Sequence, residues 1–129
     1  MKKVITPRVH GILDYFGAAS FALAPKLFSL SGLPAQLLYV LAGIGLVLAV
    51  TSQAPAGLIK VVPMRVHAMA EVVTAPVVIA LPWLLGFAEN PVARYVFIAA
   101  GGGLILFWLL TDYEGTSHPA SPSVAAQAR

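Results

Sequence analysis

The stretch Pro34–Val50, which reads PAQLLYVLAGIGLVLAV, contains no charged residue. A helix needs about 20 mostly apolar residues to cross a bilayer. Three further stretches have a similar length and composition, namely Val9–Leu30, Val66–Phe87 and Val92–Leu110. Runs this long and this uniformly apolar lack the alternation of a transmembrane β-barrel. The sequence therefore predicts an all-α protein with four membrane-spanning helices.

The composition of the whole chain also indicates a membrane protein. Of its 129 residues, 59% are hydrophobic and 10% are charged, the mean hydropathy is +0.87, and there is no cysteine. A soluble domain carries about 25% charged residues. These values exclude a soluble globule, a disordered chain, a disulfide-stapled module and a cysteine-based metal site.

Lysine and arginine are distributed unevenly between the two ends of the predicted spans. Six lie at one end (Lys2, Lys3, Arg8, Lys60, Arg65 and Arg129) and two at the other (Lys26 and Arg94). The positive-inside rule then places both termini in the cytoplasm. The net charge of +3 reflects this topology. No basic patch interleaved with aromatic residues indicates nucleic-acid binding, so the expected partner is the lipid bilayer.

The chain contains an internal repeat, because a shift of 57 positions brings scarce residue types into coincidence. The coinciding residues are Arg8-Val9-His10 with Arg65-Val66-His67, Asp14 with Glu71, Pro25 with Pro82, and Pro34 with Pro91. Each repeat is a two-helix hairpin, about 6–52 and about 63–110. Two spans per repeat keep both copies the same way up, which predicts a parallel repeat with a pseudo-two-fold axis along the membrane normal. We therefore expect a four-helix bundle over residues 1–110 and a mobile cytoplasmic tail over 111–129, where Ser, Pro, Ala and Gln predominate.

These motifs resemble the SPW repeat family of small bacterial membrane proteins. The resemblance rests on the two Arg-Val-His starts, the acid one turn later and the ending Pro82–Phe87, PWLLGF, and it covers nearly the whole chain. The second copy has Leu81-Pro82-Trp83, whereas the first has Ala24-Pro25-Lys26, with lysine in place of the tryptophan. The resemblance implies a fold and a location in the bacterial cytoplasmic membrane, and it supplies no biochemical activity.

Each copy places a histidine and a carboxylate four residues apart, which puts them on one face of a helix. The pairs are His10 with Asp14 and His67 with Glu71, and small residues follow each pair on the same face. Because ionisable groups facing lipid are costly, both faces are expected to point into the bundle. The pseudo-axis would then gather two imidazoles and two carboxylates near the cytoplasmic boundary.

Three interpretations of this cluster stay open at the level of sequence. The four side chains could bind a divalent metal such as Zn, Mn or Fe, or His10 and His67 could bind a haem with Arg8 and Arg65 near its propionates. The cluster could instead be part of a proton-coupled or ion-conducting transport protein. The opposite half of the bundle, however, offers no further titratable groups that would continue a path across the membrane. It could also be structural and hold the helices in register.

No motif for catalysis is present. There is no Ser-His-Asp order, no nucleophile elbow and no nucleotide-binding loop, which favours a non-enzymatic role. Glycines on the second and fourth spans allow close helix approach, within one protomer or between protomers of a homo-oligomer. The glycines are Gly43, Gly45, Gly101, Gly102 and Gly103.

Overall fold

The computed structural model describes residues 2–114, and it is all-helical over this range. The helices are α1 (Pro7–Leu27), α2 (Gly32–Thr51), α3 (Met64–Leu84) and α4 (Pro91–Leu110). The prediction of an all-α protein with four helices is confirmed. The tail over residues 115–129, with His118, lies outside the described residues.

Local sequence determines where the helices begin and end. The Thr6 side chain accepts from the Val9 N–H, and Asn90 does the same for the first turn of α4, with a proline following each cap. The first and third helices end three residues before the predicted limits of Leu30 and Phe87. The chain reverses at Ser29 (φ 51°) and Gly86 (φ 77°), in the left-handed conformation that terminates helices.

Three of the four described helices, α2, α3 and α4, are long and apolar enough to cross a membrane. The first helix is not among them, and its 21 residues include Arg8, Asp14 and Lys26. Large apolar side chains nevertheless point outward from all four helices, among them Phe16, Val47, Met69 and Tyr95. Exposed apolar surface of this extent suits lipid and not water.

The tightest packing lies within the two hairpins, α1 against α2 and α3 against α4. Residues from all four helices share one core near the hairpin turns, which includes Ala24, Leu38, Val78 and Phe97. The opposite end carries the N-termini of α1 and α3.

Two short backbone pairings close the end that carries those N-termini. Ile5 pairs with Thr111, after α4, and Val62 pairs in the same parallel sense with Ser52, after α2. In each pairing the residue two positions before α1 or α3 donates to the last carbonyl of the partner helix. The Ile5 N–H donates to Leu110 O at 3.0 Å, and the Val62 N–H donates to Thr51 O at 2.8 Å. Thr111 and Asp112, which sequence analysis assigned to the tail, are therefore buried.

We predict that Gly101→Ala separates α3 from α4. A Cβ at Gly101 would lie 2.5 Å from the Ala75 carbonyl oxygen and from Ile79 Cγ1, so the helices must move apart. Overpacking of this kind costs about 1–3 kcal/mol. Thermal unfolding in mild detergent should show a lower Tm.

The neighbouring Gly102 provides the matched control. A Cβ there meets no atom within 4 Å, so Gly102→Ala should keep or raise the Tm. Equal Tm values for the two variants would contradict the close α3–α4 contact.

Candidate metal centre

The four residues singled out by the repeat lie together at the end of the protein opposite the hairpin turns. His10 and Asp14 extend from α1, and His67 and Glu71 extend from α3. One nitrogen or oxygen atom from each of the four lies within 4.8 Å of the others. Both imidazoles and Glu71 are buried, and the Asp14 side chain is only 10% exposed.

Each histidine Nε2 faces the carboxylates of both helices. His10 Nε2 lies 3.2 Å from Asp14 Oδ1 and 3.2 Å from Glu71 Oε1. His67 Nε2 lies 3.3 Å from Asp14 Oδ2 and 3.6 Å from Glu71 Oε1. The contacts between helices are thus as short as those within a helix, so the cluster joins α1 to α3.

The hydrogen bonds of Thr111 assign the protons on His10. The Thr111 hydroxyl donates to the Phe107 carbonyl at 2.8 Å, so its oxygen accepts from His10 Nδ1 at 2.8 Å. In a neutral ring Nε2 then carries a lone pair directed at two carboxylates. His10 Nε2 has no hydrogen-bond partner, although the side chain is completely buried. A positive charge at this point, from a proton on Nε2 or from a metal ion, would pair the nitrogen with the carboxylate oxygens.

Tyr113 supports the cluster from the segment after α4. Its hydroxyl donates to Glu71 Oε2 at 2.8 Å, and its ring packs against the His10 ring with centroids 5.3 Å apart. Burial, with the negative charge of Glu71, raises the pKa of Tyr113 above its usual range. The phenol therefore stays protonated and serves as a permanent donor to Glu71.

The two halves of the cluster differ in how their Nδ1 atoms are supported. His10 Nδ1 contacts Thr111, the residue after α4, whereas His67 Nδ1 is buried without a hydrogen-bond partner. Ser52, the corresponding residue after α2, accepts from the Ala54 N–H and contacts the Met64 sulfur instead. The site is thus held more firmly on the His10 side.

The geometry of the cluster favours a small ion over a haem. Both Nε2 atoms face the same two carboxylates at 3.2–3.6 Å, so Asp14 and Glu71 fill the space that a flat macrocycle would need. Arg8 is exposed, and Arg65 contacts Glu114 at 3.7 Å in an exposed pair, so neither arginine contacts the cluster in the described contacts.

Sequence reasoning missed Thr111 and Tyr113. Both fall just beyond the last span, in a segment that composition alone assigns to the tail. The only signal in the sequence was that Thr111 and Tyr113, two polar residues, follow directly after the apolar stretch that ends at Leu110.

Comparisons with known proteins do not add to this description. The chain matches no protein-family model, no curated protein and no solved structure.

We predict a specific loss of stability at high pH that depends on Tyr113. Below about pH 10 the phenol is protonated in both states, and its stabilising contact is fully present. Above that pH the unfolded chain releases the proton and the folded protein does not, so stability should fall by up to about 1.4 kcal/mol per pH unit. Thermal unfolding between pH 8 and pH 11.5 measures this slope.

Two variants isolate the contribution of this residue. Tyr113→Phe should flatten the slope, because the buried phenol is gone. Tyr39→Phe, at a half-exposed position on α2, should leave the slope unchanged. A slope that Tyr113→Phe does not alter would show that Tyr113 ionises like an exposed tyrosine.

Proposed function

We propose that this protein is a membrane-integral binding protein for a divalent transition-metal ion, held by His10, Asp14, His67 and Glu71. The observation that carries the proposal is His10 Nε2. This atom is completely buried, has no hydrogen-bond partner, and lies 3.2 Å from a carboxylate oxygen on each of two helices. A metal ion between these atoms would accept the lone pair of His10 Nε2 and balance the charge of both carboxylates.

The spacing of the ligand atoms supports a first-row ion such as Zn²⁺. With metal–ligand bonds of about 2.0–2.1 Å, neighbouring ligands in a tetrahedral site are about 3.4 Å apart. The four nitrogen–oxygen separations, which involve both oxygens of Asp14, are 3.2, 3.2, 3.3 and 3.6 Å, and one ligand atom from each residue lies within 4.8 Å of the others. Two imidazoles with two carboxylates suit Zn, Fe or Mn, and the absence of cysteine from the sequence removes the ligand that Cu(I) prefers.

The surroundings of the cluster support the same conclusion. A metal-bound histidine usually donates its second N–H to an oxygen, as His10 Nδ1 does to Thr111. Tyr113 orients the Glu71 carboxylate in the same way. With neutral imidazoles the two carboxylates carry a charge of −2, which a divalent ion neutralises in a site that contains no lysine or arginine.

The proposal includes a four-span arrangement of two tandem hairpins with both termini in the cytoplasm. Two observations support the repeat: α1 and α3 both have 21 residues and begin 57 residues apart, at Pro7 and Met64, and the Ile5–Thr111 and Val62–Ser52 pairings correspond. The first helix would cross the membrane with its charged groups in the cluster or at the boundaries. The SPW repeat resemblance, the bacterial membrane and a homo-oligomer belong to this proposal as well.

A transport pathway receives no comparable support. A cavity of about 290 Å³ adjoins the cluster and is lined by all four helices, yet its only titratable lining residues are Asp14, His67 and Glu71. A proton or a hydrated ion would meet an apolar wall beyond them.

Metal analysis of the purified protein tests the proposal. We expect about one equivalent of Zn²⁺ after dialysis against the ion in mild detergent, and its loss in His10→Ala. Thr111→Val keeps all four ligands and removes only the hydroxyl that orients His10. Its Zn²⁺ affinity should fall about 10- to 100-fold.

Stability measurements separate the metal site from a structural ion pair. His118→Ala, outside the described residues, is the matched histidine control and should retain the metal. Zn²⁺ should raise the Tm of the wild type and of His118→Ala, but not of His10→Ala. A wild type that stays metal-free and whose Tm ignores Zn²⁺ would leave imidazolium–carboxylate pairing as the role of the cluster.

A further inference from the structure

Exposed positive charge is concentrated at the end of the protein that carries the N-termini of α1 and α3. The described residues place five exposed cations there and one exposed acid, Glu114, which contacts Arg65 at 3.7 Å. Together the five cations form the basic end, which consists of Lys2, Lys3, Arg8, Lys60 and Arg65. An excess of cations beside membrane-spanning helices attracts the headgroups of acidic lipids.

The opposite end of the protein has no comparable excess of charge among the described residues. Lys26 and Glu89 are both exposed there. The Arg94 guanidinium donates to the Ala88 carbonyl at 3.1 Å and lies over the Tyr95 ring, 5.2 Å from its centroid. The two ends therefore differ in the charge that they present to a lipid headgroup.

The loop between α2 and α3 lies level with the last turn of α2. The N–H groups of Leu58 and Ile59 donate to the Val50 carbonyl at 2.9 and 2.8 Å. Gly57 permits this sharp return of the chain, because a Cβ at that position would collide with the Ser52 carbonyl oxygen. Since α2 is long and apolar enough to cross a membrane, the loop is held at the boundary of the bilayer.

The side chains of this loop combine apolar surface with a cation. Leu58, Ile59 and Val61 are each more than half exposed. Lys60 lies between them in the sequence, and its Nζ donates to the Ala54 carbonyl at 3.0 Å. Several backbone groups of the loop have partners inside the protein, which lowers the cost of leaving water. Apolar side chains beside a cation suit the layer where acyl chains meet headgroups.

We infer that the basic end binds the headgroups of anionic phospholipids, with Leu58 and Ile59 inserted among the acyl chains beneath them. A free phosphate or an acidic soluble protein would neutralise the cations. It would also leave these large apolar side chains in water, at the level where a membrane span ends. A lipid supplies both the negative charge and the hydrocarbon. The inference uses the membrane arrangement of the proposed function and does not depend on the metal site.

Native mass spectrometry of the full chain tests which lipid the protein retains. The protein is released from nanodiscs that contain equal amounts of phosphatidylcholine and phosphatidylglycerol. We expect at least about fivefold more bound phosphatidylglycerol, because each cation near an acidic membrane surface favours binding by about that factor. High salt in the nanodisc buffer should reduce the preference, since it screens exposed charges. Equal retention of the two lipids would overturn the inference.

Single-charge variants show which end of the protein selects the lipid. Arg8→Gln and Lys60→Gln should each reduce the preference for phosphatidylglycerol at least about twofold. Arg8 is exposed in the first turn of α1, so its replacement leaves the Lys60–Ala54 hydrogen bond of the loop in place. Lys26→Gln removes the same charge at the opposite end and should keep the preference. A preference that Arg8→Gln and Lys26→Gln change equally would contradict binding at the basic end.

A spin label measures whether the loop enters the bilayer. The chain has no cysteine, so Leu58→Cys provides a single attachment site, and Val47→Cys on the exposed surface of α2 provides the lipid reference. In the same nanodiscs, electron paramagnetic resonance should show that both labels collide more with oxygen than with a water-soluble nickel chelate. A label at position 58 that collides mainly with the nickel chelate would overturn the inference and leave the basic end open to acidic soluble partners.

The Zn²⁺ content of the same preparations reports on the metal proposal separately. A preference for phosphatidylglycerol in a protein that binds no Zn²⁺ would support the lipid inference and refute the metal proposal. Zn²⁺ binding without a lipid preference would refute the lipid inference and leave the metal proposal standing.

Discussion

The structure depends on one electrostatic constraint: two carboxylates and two imidazoles must be satisfied together inside an apolar protein. Asp14 and Glu71 belong to different hairpins, and each lies close to both histidines. Since the tightest helix packing lies within the hairpins, the cluster supplies a strong polar contact between them. Isolated charges at this depth would be costly, so the four groups and their supporting hydroxyls act as a unit.

The cavity and the cluster are two consequences of the same arrangement. Small residues on the facing sides of the helices leave space beside the cluster, and large apolar residues such as Phe97 and Leu38 fill the core near the hairpin turns. The protein therefore has a packed end, a hollow middle and a polar end.

The sequence predicted most of the helical structure and the four central residues of the site. Apolar runs fixed the helices to within a few residues, and the repeat identified His10, Asp14, His67 and Glu71 because charged residues are scarce in this chain. It could not predict Thr111 or Tyr113, whose contacts depend on how the chain leaves α4. It also could not predict that Asp14 and Glu71 would each contact both histidines, since spacing along a helix describes only pairs within that helix.

X-ray absorption at the zinc edge, on protein loaded with one equivalent of Zn²⁺, distinguishes an ion held by His10 and His67 from zinc bound elsewhere. We expect nitrogen and oxygen ligands at about 2.0–2.1 Å from the zinc, with the more distant scattering of two imidazole rings. Tyr113→Phe should change the carboxylate contribution and keep the imidazole signal. A spectrum without imidazole scattering, or one that matches zinc in the detergent buffer, would contradict the metal proposal.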